Sequence, residues 1–281
     1  IFNRQRSKAS YLHNAYLGQH NILNKTRIFK DQADINNKVI EQHLWNMVNF
    51  KKGYLCGVPK TYALITTLKP DDMTYFERYN LEQGISAKDI VSTEWIYSTG
   101  TSYYFIQPRV QDYDPEYEAP YEIYNLPPTR AMKVYSSFIG NEELFDMVVT
   151  TYQDTVNRNI VEKEYLTVYT FDAVYEYETL VDGVGITLKK VTPKALKQLP
   201  LIERCRDEQR VSLCELALSM QDSIDELTSN NIDNIIEFVN QLYIIYNQDI
   251  SPEDFFAGVH NGLIKLNGNS TKGNGLQPDL K

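Results

Sequence analysis

Asp222, Asp225 and Glu226 fall within five residues of one another in a stretch that reads as helix, SMQDSIDELTSNNIDNIIEFVNQLYIIY, Ser219 to Tyr246. Carboxylates grouped in this way are the raw material of an acid-dependent nuclease, in which two metal ions clamp the attacking and leaving oxygens of a phosphate. Such chemistry also needs cationic groups to orient the phosphate. None is near: from Arg210 to Lys265 the only basic side chain between the two is His260, and no second acidic motif follows.

Other constellations are weaker. His13, His20, His43 and His260 do not occur at ligand spacing with cysteines or acids, so no zinc site is expected. The loop DYDPEYE (Asp112, Asp114, Glu116, Glu118) is acidic, but it lacks the ordered Gly and terminal bidentate Glu of a calcium loop. Ser270-Thr271-Lys272-Gly273 has the residue types of a phosphate loop in the wrong order, without a helix behind it. No nucleophile elbow and no Cys/His set is present. The pattern therefore gives no active site, no cofactor and no metal, and the chain is expected not to be an enzyme.

Charge is segregated along the chain. Residues 1–60 hold ten Lys and Arg against three acids, Asp31, Asp34 and Glu41. Between Arg210 and Lys265 there are nine Asp and Glu, matching the whole chain's net charge of −9. An acidic protein is ill suited to static DNA binding, where phosphate contacts dominate affinity. A basic head and an acidic tail region suit pairing of oppositely charged segments, including those of neighbouring copies. No run of 18 apolar residues suggests a membrane span. The three cysteines, Cys56, Cys205 and Cys214, have no paired spacing. The chain starts at Ile1 without a signal-peptide core and ends at Lys281 without a closing element, which reads as part of a longer protein.

Apolar spacing predicts a helix over Asn36 to Tyr54, stopped by Gly53 and Gly57-Val58-Pro59, then a short strand from Thr61 to Thr67. A helix follows from Pro70 to Leu81, with Gly84 as its stop. Another opens at Ser86, with Asp89 completing a capping box, and ends near Gly100. Strands are predicted at Tyr103 to Ile106, Tyr121 to Leu126, Ala131 to Phe138, Leu144 to Tyr152, Leu166 to Tyr169, Val174 to Tyr177 and Ile186 to Val191. The turn residues between them imply an antiparallel meander. After Leu199-Pro200 comes the long helical region. A short helix is then capped by Ser251-Pro252 and runs to about Asn261, followed by a strand over Gly262 to Leu266 and an Asn/Gly-rich loop to Gly275. The fold class is α+β.

On a helical wheel Leu216, Met220, Ile224, Leu227, Ile235, Phe238, Leu242 and Ile245 fall on one side. Glu215, Asp222, Glu226, Asp233 and Glu237 form a separate stripe, at steps of 7, 4, 7 and 4. Like charges at i, i+4 cost an isolated helix roughly 0.2–0.5 kcal/mol per pair. The stripe is either a solvated face or a surface offered to a neighbour or ligand.

Several stretches in order resemble the portal proteins of tailed bacteriophages, specifically those of long-tailed phages of Gram-positive hosts. The first is Asn36-Asn37-Lys38-Val39-Ile40, leading into Lys52-Gly53-Tyr54-Leu55-Cys56-Gly57-Val58-Pro59-Lys60-Thr61-Tyr62. Ser86 to Gly100 with Tyr103-Tyr104, then Thr167 to Thr170 and Val174 to Tyr177, continue it. Leu199-Pro200-Leu201-Ile202-Glu203 stands at the family's proline-led strand, and Ser223 through Val239 at its following helix. The tract Arg204 to Arg210 departs from the family wording.

The resemblance implies a non-enzymatic subunit of a homo-oligomeric ring, a dodecamer in most of the family, at the portal vertex of the virion and assembled in the host bacterial cytoplasm. Double-stranded DNA would pass through the ring without sequence-specific binding. Terminase large subunit, head-tail adaptor, scaffold and major capsid protein would be partners, with no membrane involved. Residues 1–200 would be the wing, 201–240 a helical region with the first stem helix, and 241–281 an incomplete clip. A returning stem helix, tunnel loop and crown would lie outside this chain. Glu215, Asp222, Glu226, Asp233 and Glu237 would line the channel or face a neighbouring subunit, and Glu253, Asp254, Phe255, Phe256 and Lys265 would make clip contacts. The alternative is another non-enzymatic virion or surface assembly protein, its 21 Tyr forming a β-rich interaction module.

Overall fold

The computed structural model describes residues 1–25, 36–63, 70–110, 112–156, 159–179, 185–194 and 197–239. The chain divides into two compact units, one of Ile1–His20 with Gln42–Gln221, the other of Asn21–Glu41 with Asp222–Lys281. The expected α+β class holds, with antiparallel sheets preceded and followed by helices.

In the first unit, helices α1 (Phe2–Tyr16), α2 (His43–Cys56), α3 (Pro70–Glu82) and α4 (Ile85–Thr99) precede the sheets. The expected meander is present as five strands in sequence order: β3 (Ala131–Tyr135), β4 (Glu143–Val156), β5 (Asn159–Tyr169), β6 (Ala173–Thr179) and β7 (Ile186–Pro193). The first two predicted strands do not join it. β1 (Thr101–Pro108) and β2 (Tyr121–Leu126) pair with each other, and β8 (Leu201–Cys205) returns to β1's other edge to complete a three-stranded sheet. In that pairing Tyr103 lies opposite Glu203. The two sheets share a core of Tyr103, Ala131, Val148 and Leu201, with Phe105, Leu126 and Tyr169 packed against it. The helices share another, of Ala15, Tyr16, Leu44, Val48 and Cys214.

Helix boundaries differ from expectation in two places. The predicted helix over Asn36 to Tyr54 begins only at His43; residues 36–42 form neither helix nor strand. The capping box at Ser86 is not formed. Helix α4 starts from Gly84, which takes the left-handed φ of 60°, and no side chain caps it. Gly100 ends α4 as expected, at φ 99°, and a Cβ there would lie 2.1 Å from the Arg210 carbonyl oxygen, so the position admits only glycine. Thr61 to Ala63 have no regular structure, and the remainder of the strand predicted there, residues 64–67, lies outside the described residues.

Polar side chains close the sheet edges. The Gln83 carboxamide oxygen accepts the β2 amide of Ile123 at 3.0 Å. The Asp146 carboxylate on β4 accepts the β8 amide of Leu201 at 2.7 Å and so ties one sheet to the other. Glu203 takes both Arg210 Nε (2.8 Å) and Nη2 (2.7 Å) as well as the Tyr135 hydroxyl (2.7 Å), which holds its carboxyl below the usual range despite burial.

Asp146 is fully buried, with Lys133 Nζ 3.6 Å away and itself paired to Glu143 at 2.6 Å. Burial pushes the Asp146 carboxyl up to about 6. A carboxyl with a folded pKa above its unfolded value binds its proton more tightly when folded. Its contribution to stability is therefore present at low pH and lost as pH rises from about 4 to 6, at up to about 1.4 kcal/mol per pH unit. Urea unfolding of wild type and Asp146→Asn across pH 4 to 7 should show the variant gaining on wild type as pH rises, then levelling above 6. A pH-independent difference would mean that Asp146 titrates normally.

Candidate functional site

Helix α5 (Leu213–Val239) carries the acidic stripe. Ser212 starts it: its Oγ accepts the Glu215 amide at 2.9 Å, the N-cap bond of a Ser-x-x-Glu sequence. Glu215 in the first turn also faces the positive end of the helix dipole.

The buried side of α5 is polar. Gln221, Asp225, Ser229 and Asp233, each four residues after the last, are all at most 2% exposed. Three of them hold the segment that precedes α2. The Glu41 amide donates to Asp225 Oδ1 (2.8 Å), the Val39 amide to Ser229 Oγ (3.0 Å), and the Asn37 amide to Asp233 Oδ1 (3.0 Å). Asn37 Nδ2 donates to the same Asp233 oxygen at 2.8 Å. Ser229 Oγ in turn donates to the Asp225 carbonyl at 2.7 Å.

The match is geometric. Two residues of fully extended chain rise roughly 6.6 Å and four residues of helix roughly 6.0 Å, so alternate amides can keep in register with every fourth helical side chain across three rungs. The segment runs antiparallel to α5, and a strap is thus read by side chains instead of a neighbouring strand.

The stripe beside this ladder is also met by the chain's own N-terminal part. Lys8 Nζ pairs with Glu215 at 2.7 Å, Asn21 Nδ2 donates to Asp222 at 2.9 Å, and Lys25 Nζ pairs with Glu226 at 2.8 Å. With Asp233 bound to Asn37, four stripe members have partners within the chain. Glu237 lies in α5, but its side chain is outside the described residues.

The apolar series turns the other way. Leu216, Met220, Leu227 and Ile235 are 60–68% exposed. The sequence assigned this side as the apolar face of an amphipathic helix, but these four residues are exposed, because the inward face is taken by the amide-binding ladder.

Asp222, Asp225 and Glu226 engage Asn21, Glu41 and Lys25 separately, and no group of three or more His, Cys, Asp or Glu able to hold an ion exists among the described residues. The DYDPEYE loop closes on itself, Asp114 accepting the Glu116 amide at 2.9 Å, while Arg109 pairs with Glu118 at 3.1 Å. His20 Nε2 donates to the Ala15 carbonyl at 3.0 Å, and His13 stacks on Trp95 with centroids 3.8 Å apart. No helix of the described residues is long and apolar enough to cross a membrane.

A family model described as "Phage portal protein, SPP1 Gp6-like" matches residues 1–281. The chain belongs to the phage portal protein family. Among its relatives is the portal protein of Bacillus phage SPP1, 24% identical over 276 residues. The alignment covers 90% of this chain and 52% of the relative, so the chain spans about half the relative's length. The expected clip, residues 241–281 with Glu253, Asp254, Phe255, Phe256 and Lys265, lies outside the described residues, as do the helix, strand and loop read there.

For this portal-family chain the sequence reasoning found the stripe but missed the strap. A signal existed in the run of polar residues at steps of four, Gln221, Asp225, Ser229 and Asp233. A ladder of that kind predicts a buried acceptor row rather than a wet face. Replacing one acceptor leaves a partly buried amide without its bond, at a cost of up to about 1–3 kcal/mol. Asp233→Ala and Ser229→Ala should therefore speed hydrogen exchange at the amides of Asn37, Val39 and Glu41 by tenfold or more, with the β3–β7 amides unchanged. Exchange at those three amides as slow as in wild type would show that the strap does not depend on these acceptors.

Proposed function

We propose that the chain is the subunit of a ring-shaped channel at the capsid vertex, through which double-stranded phage DNA is packaged and later released. The observation that carries this reading is the family match across all 281 residues. The SPP1 relative, a portal protein, supports it. On this reading the subunit is structural: a separate motor, the terminase, moves the DNA, and a head-tail adaptor and capsid proteins dock on the ring. The sheets form the wing, and α5 contributes to the stem.

The surroundings of the stripe support a division of roles among its members. Asp233 is buried under the strap, and Glu215 and Asp222 are half-buried against the chain's own N-terminal residues. Their role is to fix the fold of the stem segment. Among the described members Glu226 is the exposed one, its side chain 48% accessible beside Lys25. Paired in this way, it offers a passing phosphate a neutral ion pair rather than a free lysine, and DNA can slide without deep binding wells.

Electron microscopy or native mass spectrometry of the protein should show a closed ring of twelve or a similar number of subunits; a monodisperse monomer would overturn the reading. Magnesium-dependent DNA cleavage that disappears in Asp222→Ala would replace it with the nuclease alternative. Glu226→Lys should leave rings intact and slow DNA packaging, whereas packaging at the wild-type rate would remove Glu226 from the channel wall.

A further inference from the structure

Two helix faces of this chain are apolar, exposed and unlike each other. The outward side of α5 presents Leu216, Met220, Leu227 and Ile235, interspersed with Ser219, Ser223 and Asn231. The outward side of α2 presents Phe50 (70% exposed) and Tyr54 (79%), continued by Val58 (77%) just past its end. Gly53 lies on this side too, and a Cβ there would meet nothing within 4 Å. Faces of this size without a partner mark interaction surfaces.

Charge says which surfaces can meet. Helix α5 has six acids, Glu215, Asp222, Asp225, Glu226, Asp233 and Glu237, and no Lys, Arg or His. The segment His43–Lys60 has Lys51, Lys52 and Lys60 and no acid. Lys52 and Lys60 are engaged by Glu94 and Asp89, while Lys51 is exposed at the rim of the aromatic face. An α5–α5 contact between copies would bring two wholly acidic helices together, and an α2–α2 contact two basic ones. Only α2 against α5 pairs opposite signs around apolar centres.

We propose that the outward face of α5 in one copy packs against the outward face of α2 in the next copy. The contact is heterologous, each subunit offering one face on either side, and such contacts generate rings when the rotation closes. Aromatic side chains and a glycine on α2 receive the aliphatic ridge of α5, in the manner of ridges into grooves. The inference rests on the ring reading above and adds which surfaces build the ring.

The test uses the full chain with Cys56→Ser and Cys205→Ser, so that the remaining native thiol is the buried Cys214. Tyr54→Cys and Leu227→Cys are placed in separate copies, mixed, assembled and oxidised. A disulfide-linked dimer containing one of each is expected, and neither variant alone should give it. Gly53→Glu adds bulk and the wrong charge at a position with room for a side chain. It should raise the subunit concentration needed for assembly roughly tenfold or more, as loss of a central contact does, while unfolding at the wild-type temperature or above. Wild-type rings without the mixed disulfide, together with normal assembly of Gly53→Glu, would overturn the α2–α5 contact and leave the ring standing. A monomeric wild-type protein would overturn both.

Discussion

A non-helical segment with partly buried amides must find acceptors for them, and in this protein one helix supplies three. The amides of Asn37, Val39 and Glu41 have no neighbouring strand to bond; Asp233, Ser229 and Asp225 stand in for one. Leaving such an amide dry and unpaired costs as much as a buried apolar side chain contributes, so the acceptors cannot be traded for Leu or Ile without loss. This requirement fixes which side of α5 faces inward. The remaining features of the helix follow from it: the apolar series is forced outward, and the strap cannot be helical because its amides are already bonded to side chains, which delays the start of α2 to His43.

The same device recurs in the sheets. Asp146 accepts the first amide of β8, and Gln83 accepts an amide at the outer edge of β2. Asp89, 5% exposed on α4, gathers Lys60, the Tyr104 hydroxyl and Arg204, each within 2.8 Å. Helix α4 accordingly buries Asp89, Ser92 and Thr93 and leaves Ile90 and Val91 partly exposed, the same inversion as α5. Side-chain acceptors thus do in this fold what extra strands do in a wider sheet. Such networks stabilise only when every member is satisfied, which makes them specify one arrangement strongly and tolerate substitution poorly. β7 is managed differently: a bulge opposite Glu176/Tyr177, Lys189, Lys190 and Pro193 discourage a further strand from adding to it.

How much of this was legible follows from the range of each interaction. Gly84 and Gly100 marked the ends of α3 and α4 because a left-handed turn is a local property of one residue. The strands of the meander were legible because alternation and turn residues act over a few positions. The partition into two sheets was not, since β1 finds β8 across a separation of 100 residues, and nothing local announces that pairing. The strap was misread as helix because Val39, Ile40 and Leu44 have helical spacing, and periodicity cannot register an amide bonded to a side chain 190 residues away. On α5 the stripe was visible but its surroundings were not. The wheel separates acidic from apolar positions and is silent about which side the rest of the chain occupies.

The charge pattern of the whole chain takes on a different meaning once those surroundings are known. A basic head and an acidic helix suggest two fields of opposite sign, yet Lys8, Asn21, Lys25 and Asn37 of the head already answer Glu215, Asp222, Glu226 and Asp233. Exposed pairs such as Lys25–Glu226 add little to stability, less than about 1 kcal/mol. Their consequence is to cancel charge close to its source, within a Debye length of about 8 Å in physiological salt. Lys8 and Lys25 offset two of the six carboxylates, and the amides that hold Asp222, Asp225 and Asp233 leave their charge in place, so α5 presents a neighbour with an acidic flank beside its apolar crest. The segregation of charge along the sequence therefore serves first to close the chain on itself, and only the carboxylates left exposed remain to act on anything passing by.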